Sequence, residues 1–280
     1  VTAIRMATLN AAECFDLKDR GAIAPGYRGD VVLLDDLKDF HVNRVFVEGE
    51  LVAEEGKYLP EIKKCDIASV KGSVIVKDFS KEKFKMHLKS NKVNVIQILP
   101  GGVVTAKDIA EIELDANGEF VRNPEVDLVK VAVVERHQGT GNVACGFLKG
   151  YGIKEGAVAL SVAHDSHNII VVGVNDDEME FAVNSLVEQE GGIVLVKEGK
   201  VIESMPMPIA GLMSDQSGEW VDQKLTDIHE KAYEELGICG EVEPVMTLCF
   251  MSLAVIPEIK LTDMGLFDVT TFSFIPVEAE

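Results

Sequence analysis

The sequence has no long hydrophobic run and no excess of positive charge. Its longest apolar stretches, such as residues 169–172 and 193–196, fall far short of the roughly 18 residues that a membrane span needs. Lys and Arg number 27 against 47 Asp and Glu, which gives a net charge of −20. Because nucleic acids and anionic membranes are bound chiefly through Lys and Arg, we expect neither as a partner.

Close cysteine pairs are also absent. The five cysteines, an odd number, are scattered through apolar segments, and this pattern favours buried free thiols in a reducing compartment such as the cytoplasm. Residues 1–15 lack the layout of a signal peptide, and the chain opens at Val1 without an initiator Met. We therefore expect these residues to come from the interior of a longer protein.

Several catalytic motifs are missing as well. The sequence contains no Gly-x-Ser-x-Gly, no phosphate-binding Gly-Lys-Ser/Thr and no Cys-x-x-Cys, so serine hydrolases, P-loop NTPases and zinc fingers lose their usual support. Residues 139–144 formally match a dinucleotide fingerprint, but three more glycines follow in residues 146–152, where a phosphate-binding helix should begin. The pattern favours a glycine loop in which positive φ or close backbone approach is required.

At 280 residues the chain is long enough for two domains. Periodicity predicts a helix over residues 3–13, then short strands and an Asn117-Gly118 hairpin, with longer buried strands and helices beyond Pro124. The predicted strands cover residues 31–34, 45–47, 50–53, 73–76, 93–98, 109–114, 119–121, 131–135, 157–163, 169–174, 193–196 and 201–205, and two further helices follow Asp176 and Val221. The predicted fold class is α/β, or α+β overall, in three parts: a helix in residues 1–20, a small β-sandwich-like region in 21–122, and an α/β domain in 123–280.

Polar residues suited to chemistry concentrate in two segments, residues 135–142 and 164–168, each of which follows a predicted buried strand. Ligands of α/β sheets bind beyond the carboxyl ends of strands, so both segments are candidate substrate-proximal loops. Ser214 and Asp215 either cap a helix or touch a ligand. The candidate residues are Glu135, His137, Gly139, Asn142, His164, Asp165, His167, Asn168, Ser214 and Asp215.

The histidine pair His164 and His167, with Asp165 between them, has three interpretations. Imidazole and carboxylate suit a divalent metal such as Zn, Mn or Fe, the same groups can contact an organic ligand, and they can also belong to a purely structural turn. A stand-alone metal-dependent hydrolase would in addition need Glu135 and His137 to meet both histidines around one ion, at roughly 2.0–2.2 Å.

Longer motifs carry a family resemblance. Residues 2–12, 21–26 and 30–35 resemble the end of the barrel and the return into the small β-sandwich of the amidohydrolase superfamily. Residues 134–142, 163–169, 208–215 and 260–263 are narrower and resemble the C-terminal domain of the adenine deaminases within that superfamily. The resemblance covers nearly the whole chain.

This resemblance implies hydrolysis of adenine to hypoxanthine and ammonia by a metal-activated water, with Mn or Fe as the divalent metal. The metal ligands of the family have no matching positions here, so we assign no metal ligand and no catalytic residue to this chain and expect both in an upstream amidohydrolase barrel. The chain alone is then expected to be inactive and to supply pocket walls or scaffold, and a homo-oligomer is compatible with the resemblance. The alternative is a non-catalytic oligomerisation or interaction module whose histidines are structural.

Overall fold

Strands outnumber helices in the structure, a computed structural model that describes residues 1–279. Contacts divide the chain into two units, Val1–Asp66 and the residues from Ile67 onward. The mixed architecture with several separate sheets confirms the predicted fold class. No helix among the described residues is both long and apolar enough to cross a membrane.

The first unit has almost no interior of its own. Short helical segments run consecutively through α1 (Thr2–Arg5), a π-helical turn (Met6–Asn10) and α2 (Ala11–Cys14), as predicted for residues 3–13. An antiparallel meander follows, made of β1 (Val31–Leu34), β2 (Val42–Val47), β3 (Glu50–Glu54) and β4 (Lys57–Tyr58). Of residues 1–66, all of which the structure describes, only Ala12 is buried. The unit therefore presents a single sheet with apolar side chains in solvent.

The strands of the second unit are β5 (Lys92–Ile98), β6 (Thr105–Glu111), β7 (Glu113–Leu114), β8 (Phe120–Val121), β9 (Leu128–Val134), β10 (Val143–Lys149), β11 (Ala157–Leu160), β12 (Ile169–Gly173), β13 (Gly192–Lys197), β14 (Lys200–Pro206), β15 (Ile259–Thr262), β16 (Gly265–Asp268) and β17 (Ser273–Ile275). Eight of them form one sheet with the order β14-β13-β11-β12-β9-β10-β5-β6. Every neighbouring pair in this sheet is antiparallel except β10 with β5. A small hairpin (β7, β8) and a three-stranded sheet (β15–β17) accompany it.

Two long helices cover opposite faces of the large sheet. All seven residues of the central strand β9 are buried, and alternate side chains serve alternate layers because strand side chains point to opposite faces. Val131 and Val133 join the cluster that contains α4 (Gly218–Glu234), whereas Ala132 and Val134 join the cluster with α3 (Asp176–Glu188). Three further helical segments among the described residues of this unit are short: 3-10 turns at Ala68–Val70 and Lys81–Phe84, and α5 (Met246–Cys249).

Several sequence expectations need correction. Residues 73–76 form no strand, and residues 143–149, which are not among the predicted strands, form β10. The predicted glycine loop is confirmed just before it, where Gly139 and Gly141 have positive φ. Gly146 lies within this strand and faces Leu261 and Leu266 of the neighbouring small sheet. A strand at this point also removes the helix that a dinucleotide fingerprint requires.

The cysteines are only partly as predicted. All five are free, but Cys14, Cys65 and Cys239 are exposed, and only Cys145 and Cys249 are buried. The first two lie in the unit that has almost no interior. Burial raises the pKa of both buried thiols to about 12, so these two are inert at neutral pH.

The predicted boundary between residues 122 and 123 lies inside the second unit. Strands β5 and β6, which precede it, pair into the same sheet as the strands that follow it, and β5 lies directly beside β10. The division into three parts stays a prediction.

Candidate functional site

The two polar loops predicted from the sequence meet at one edge of the large sheet. Strand β9 ends at Val134, whose cross-strand partners are Ile169, the first residue of β12, and Val143, the first residue of β10. Because antiparallel neighbours run in opposite directions, the end of β9 lies beside the starts of β12 and β10. Residues 135–142 and 164–168 therefore leave the sheet side by side.

Glu135 holds the first loop in shape. Its buried carboxylate accepts hydrogen bonds from the backbone N–H groups of His137, Gln138 and Thr140 at 2.5, 2.7 and 2.9 Å and from the Thr140 hydroxyl at 3.1 Å. Burial alone would raise the pKa of Glu135, but these hydrogen bonds outweigh it and hold the pKa below its ordinary value. The glycines Gly139 and Gly141 supply the positive φ that the loop needs, at 61° and 74°. The Glu135 carboxylate, a candidate reactive group from the sequence, thus forms its hydrogen bonds within its own loop.

Arg136 ties three segments together from a position that is 1% exposed. Its Nε donates to the His167 carbonyl at 2.5 Å, and both terminal nitrogens donate to the Ala210 carbonyl at 3.2 Å. Burial lowers the pKa of Arg136, and the neighbouring Glu135 charge opposes that shift. Gly211 follows Ala210 at φ 70°, and a Cβ there would lie 2.7 Å from an Arg136 nitrogen. The guanidinium is therefore packed directly against this glycine.

Asp263 joins the two loops from a third element, and residue types and spacing alone did not single it out as a site residue. Its Oδ1 accepts from the Asn168 amide at 3.2 Å and its Oδ2 from the Asn142 amide at 3.4 Å. Asn168 is buried, and its side-chain oxygen in turn accepts from the Arg136 backbone N–H at 3.3 Å. Asp263 lies in the turn between β15 and β16, and the only signal for it was its place in the motif of residues 260–263.

Three histidines lie in and between the loops. His137, which is exposed, has its Nε2 2.7 Å from the Ser166 carbonyl, and the His164 and His167 rings lie 5.4 Å apart in an edge-to-face arrangement. Within residues 1–279, the His167 Nδ1 atom is buried without a hydrogen-bond partner. Burial lowers the pKa of His167, and the nearby His164 and Arg136 lower it further. His167 is therefore a neutral imidazole at pH 7 with one ring nitrogen left unpaired.

The other candidates take more peripheral positions. Asp165 is exposed at the tip of the second loop. Ser214 and Asp215 bond locally, since the Ser214 hydroxyl accepts from the Gln216 N–H at 3.2 Å and Asp215 accepts from the Gln216 amide at 2.7 Å. The expectation that they cap a helix is wrong, because helix α4 begins at Gly218 and its cap is Ser217.

The residues present do not fit a metal ion. Nowhere in residues 1–279 do three or more His, Cys, Asp or Glu side chains form a group that could hold one. Glu135 is occupied by its own loop, so it does not meet His137, His164 and His167 around a common centre. The stand-alone metal-dependent hydrolase therefore has no support from the described residues.

The chain's similarity to known proteins identifies its family. Residues 102–273, more than half of the chain, match the family described as adenine deaminase C-terminal domain, and residues 1–52 match the amidohydrolase family. The chain belongs to the adenine deaminase C-terminal domain family. The matched range contains both loops, Arg136 and Asp263.

Two similar proteins are also named as adenine deaminases. The chain is 65% identical to a protein named adenine deaminase 2 from Desulfotalea psychrophila, with all of this chain and 48% of that protein covered. It is 49% identical to an adenine deaminase from Ligilactobacillus salivarius, again with all of this chain and 48% of that protein covered. The chain thus spans about half the length of the curated relatives it matches.

Among three cavities in the described residues, none is lined by a histidine. One of them, of about 350 Å³, adjoins the end of the first loop and is bordered by Val143, Gly265 and Lys83. Lys83 also donates from its ammonium to the Gly141 carbonyl at 2.6 Å, which connects this cavity to the first loop. In this family member, the two loops thus form a fixed polar surface, and none of their histidines lines this cavity.

Proposed function

We propose that this chain is the C-terminal part of an adenine deaminase, a hydrolase that converts adenine to hypoxanthine and ammonia. The observation that carries the proposal is the match of residues 102–273 to the C-terminal domain of adenine deaminases, together with relatives of that name at up to 65% identity. Since those relatives are about twice as long, we assign the reaction centre to an upstream amidohydrolase barrel and to this chain the role of pocket wall and scaffold.

The divalent metal, Mn or Fe, belongs to that barrel in this proposal. Two observations support this placement: the described residues offer no group of three ligating side chains, and the Glu135 carboxylate is fully used by its own loop. The chain's own residues therefore act on the substrate by contact and positioning. We place the intact protein in the cytoplasm, because all five cysteines here are free.

The histidines are the groups we assign to substrate contact. Adenine is a neutral, planar ligand whose ring nitrogens accept and whose amino group donates hydrogen bonds. The neutral state of the His167 ring suits such an uncharged ligand. Arg136 donates to the His167 carbonyl and Asp263 accepts from the Asn168 amide, so both help to fix the loop that carries the His167 ring.

An assay on a mixture of the two parts tests whether the reaction centre belongs to the upstream barrel. This chain is combined with a separately produced amidohydrolase barrel loaded with manganese or iron, and ammonia release from adenine is measured. We expect turnover in the mixture and none from this chain alone. Turnover at a normal rate by the chain alone would rule out the proposal.

The histidine role has its own test in the active mixture. We expect His167→Ala to lower kcat/KM for adenine about tenfold or more, with the metal content of the barrel unchanged. His229→Ala, on helix α4 away from both loops, is the matched control and should leave kcat/KM within about twofold. Equal kcat/KM values for His167→Ala and wild type would rule out the proposed contact between His167 and the substrate.

The alternative, an oligomerisation or interaction module with structural histidines, is favoured by one observation. Most polar groups at the loops bond to one another, and none of the three cavities is lined by a histidine. This reading predicts that His167→Ala lowers stability or changes the oligomeric state while kcat/KM stays constant.

A further inference from the structure

Three phenylalanines form an exposed aromatic cluster on the small sheet β15–β17. Phe267 and Phe274 are direct cross-strand partners, and Phe272 lies in the turn between their strands. The Phe267 ring meets the Phe272 and Phe274 rings edge to face, at centroid distances of 5.3 and 5.2 Å. Phe272 is nevertheless 75% exposed and Phe274 56% exposed. Contiguous exposed aromatics of this kind are a mark of protein-protein contact.

The turn that carries the cluster is rigidly built. Asp268 is buried, and its Oδ1 accepts from the Thr270 hydroxyl at 2.6 Å and from the N–H groups of Thr270 and Thr271 at 3.0 and 3.2 Å. Its other oxygen accepts from the Lys107 ammonium at 3.1 Å. Phe272 is held at φ 52°, a backbone conformation that non-glycine residues rarely adopt. Hydrogen bonds thus hold the backbone of this turn while the rings stay uncovered, so little backbone entropy remains to be lost on docking.

The cluster is continuous with the two polar loops. The Phe274 ring lies over Gly265, and Gly265 follows Met264, which is 67% exposed. The Met264 sulfur accepts from the Asn142 amide at 3.4 Å, and the preceding residue Asp263 bridges both loops. A partner large enough to cover the loops therefore also reaches the aromatic cluster.

We propose that the exposed aromatic cluster is the docking surface for the part of the longer protein that this chain lacks. This inference rests on the proposed function. The occupant follows from two facts: this chain spans about half the length of its curated relatives, and the cluster adjoins the loops assigned to the substrate pocket. The partner surface should be apolar and concave enough to accept two phenylalanine rings.

Thiol labelling tests the docking directly. The part of the Desulfotalea psychrophila relative that this chain does not match is joined to this chain in the relative's order, with Phe272→Cys introduced. The isolated 280-residue chain carries the same substitution. Both are treated with a maleimide and the label at position 272 is measured by peptide mass spectrometry, which separates it from the native cysteines. Phe181→Cys, on helix α3 at 36% exposure, is the matched control.

We expect the labelling rate at position 272 to fall about tenfold or more in the joined protein and the rate at position 181 to stay constant. Equal rates at position 272 in both proteins would overturn the docking surface. Protection in the isolated chain that grows with its concentration would also overturn it, because a second copy would then be the occupant.

Two further measurements distinguish failure of the docking surface from failure of the proposed function. Thermal unfolding of each variant shows that the labelled protein is folded before the rates are compared. Ammonia release from adenine by the joined protein reports on the proposed function separately. An active joined protein with an unprotected position 272 defeats the docking surface alone, whereas a protected but inactive one defeats the deaminase assignment alone.

Discussion

Glu135 illustrates at the scale of one residue how environment decides role. A carboxylate after a buried strand is a reasonable candidate for acid-base chemistry, yet here four hydrogen bonds from its own loop use both oxygens. Arg136 is similar, since a buried cation is costly and is tolerated because two backbone carbonyls accept from it. Both side chains position the loop and neither is free to react.

Glu135→Gln should therefore cost stability in a pH-dependent way. The folded-state pKa of Glu135 lies below its ordinary value of 4.5, so its contribution is fully present above pH 4.5 and is lost as the pH falls through the folded-state pKa. We expect a loss of about 2 kcal/mol in the free energy of unfolding at pH 7. Urea titrations at pH 7 and at successively lower pH measure it.

Glu234→Gln is the matched control for that experiment, because Glu234 is exposed on helix α4. Its effect should stay within about 0.5 kcal/mol at every pH. If Glu135→Gln cost no more than this control at pH 7, the assigned role of the carboxylate would be wrong.

At the scale of elements, the loops meet because β9 lies between two antiparallel neighbours. A ligand site at strand carboxyl ends is expected for an α/β sheet, but the observed sheet is almost entirely antiparallel. The two loops still meet at this edge, because the end of β9 lies beside the starts of β10 and β12. The segment of residues 209–213 completes the arrangement by presenting the Ala210 carbonyl to Arg136.

Gly211→Ala should disrupt this junction. The substitution places a Cβ at a φ of 70° and 2.7 Å from an Arg136 nitrogen, so backbone strain and a steric clash act together. Gly199→Ala is the matched control, because Gly199 has a φ of 66° and no atom within 4 Å of the added Cβ. We expect the control to lose about 1 kcal/mol of unfolding free energy and Gly211→Ala to lose at least about 1 kcal/mol more. Equal losses would show that Arg136 is not seated against this glycine.

At the scale of the whole molecule, the two units differ in how much they bury. The second unit contains every buried residue of the described chain except Ala12. A four-stranded sheet without a covered face gains little from the hydrophobic effect and should open locally far more often than the eight-stranded sheet. Exposed apolar residues on it, such as Val32 and Leu33, are consistent with a surface that the longer protein covers.

Hydrogen exchange measures this difference. In the isolated chain, backbone amides of β1–β4 should exchange about 100-fold or more faster than those of β9 and β12, because local opening there costs far less free energy. Joining the missing part of a relative should slow exchange in β1–β4 and leave β9 unchanged. Similar protection of both sheets in the isolated chain would contradict the prediction.

The sequence by itself determined much of this protein. Periodicity located helix α3 behind Asp176, Asn117-Gly118 predicted the β7–β8 hairpin, and the motifs of residues 134–142 and 163–169 pointed to the family. These signals are local, because they depend on side-chain period, turn chemistry and short motifs that lie within one stretch of chain.

Only the tertiary structure decided what these residues contact. Residues 143–149 are not predicted as a strand from their pattern, yet they pair with β9 and β5. Asp263 is more than 90 residues away in sequence from Asn168 and accepts a hydrogen bond from its side-chain amide. Strand neighbours, the burial of Arg136 and the unpaired nitrogen of His167 all depend on contacts between distant segments. Local residue pattern carries no information about such partners, since they are brought together by the packing of the whole sheet and its two helical layers.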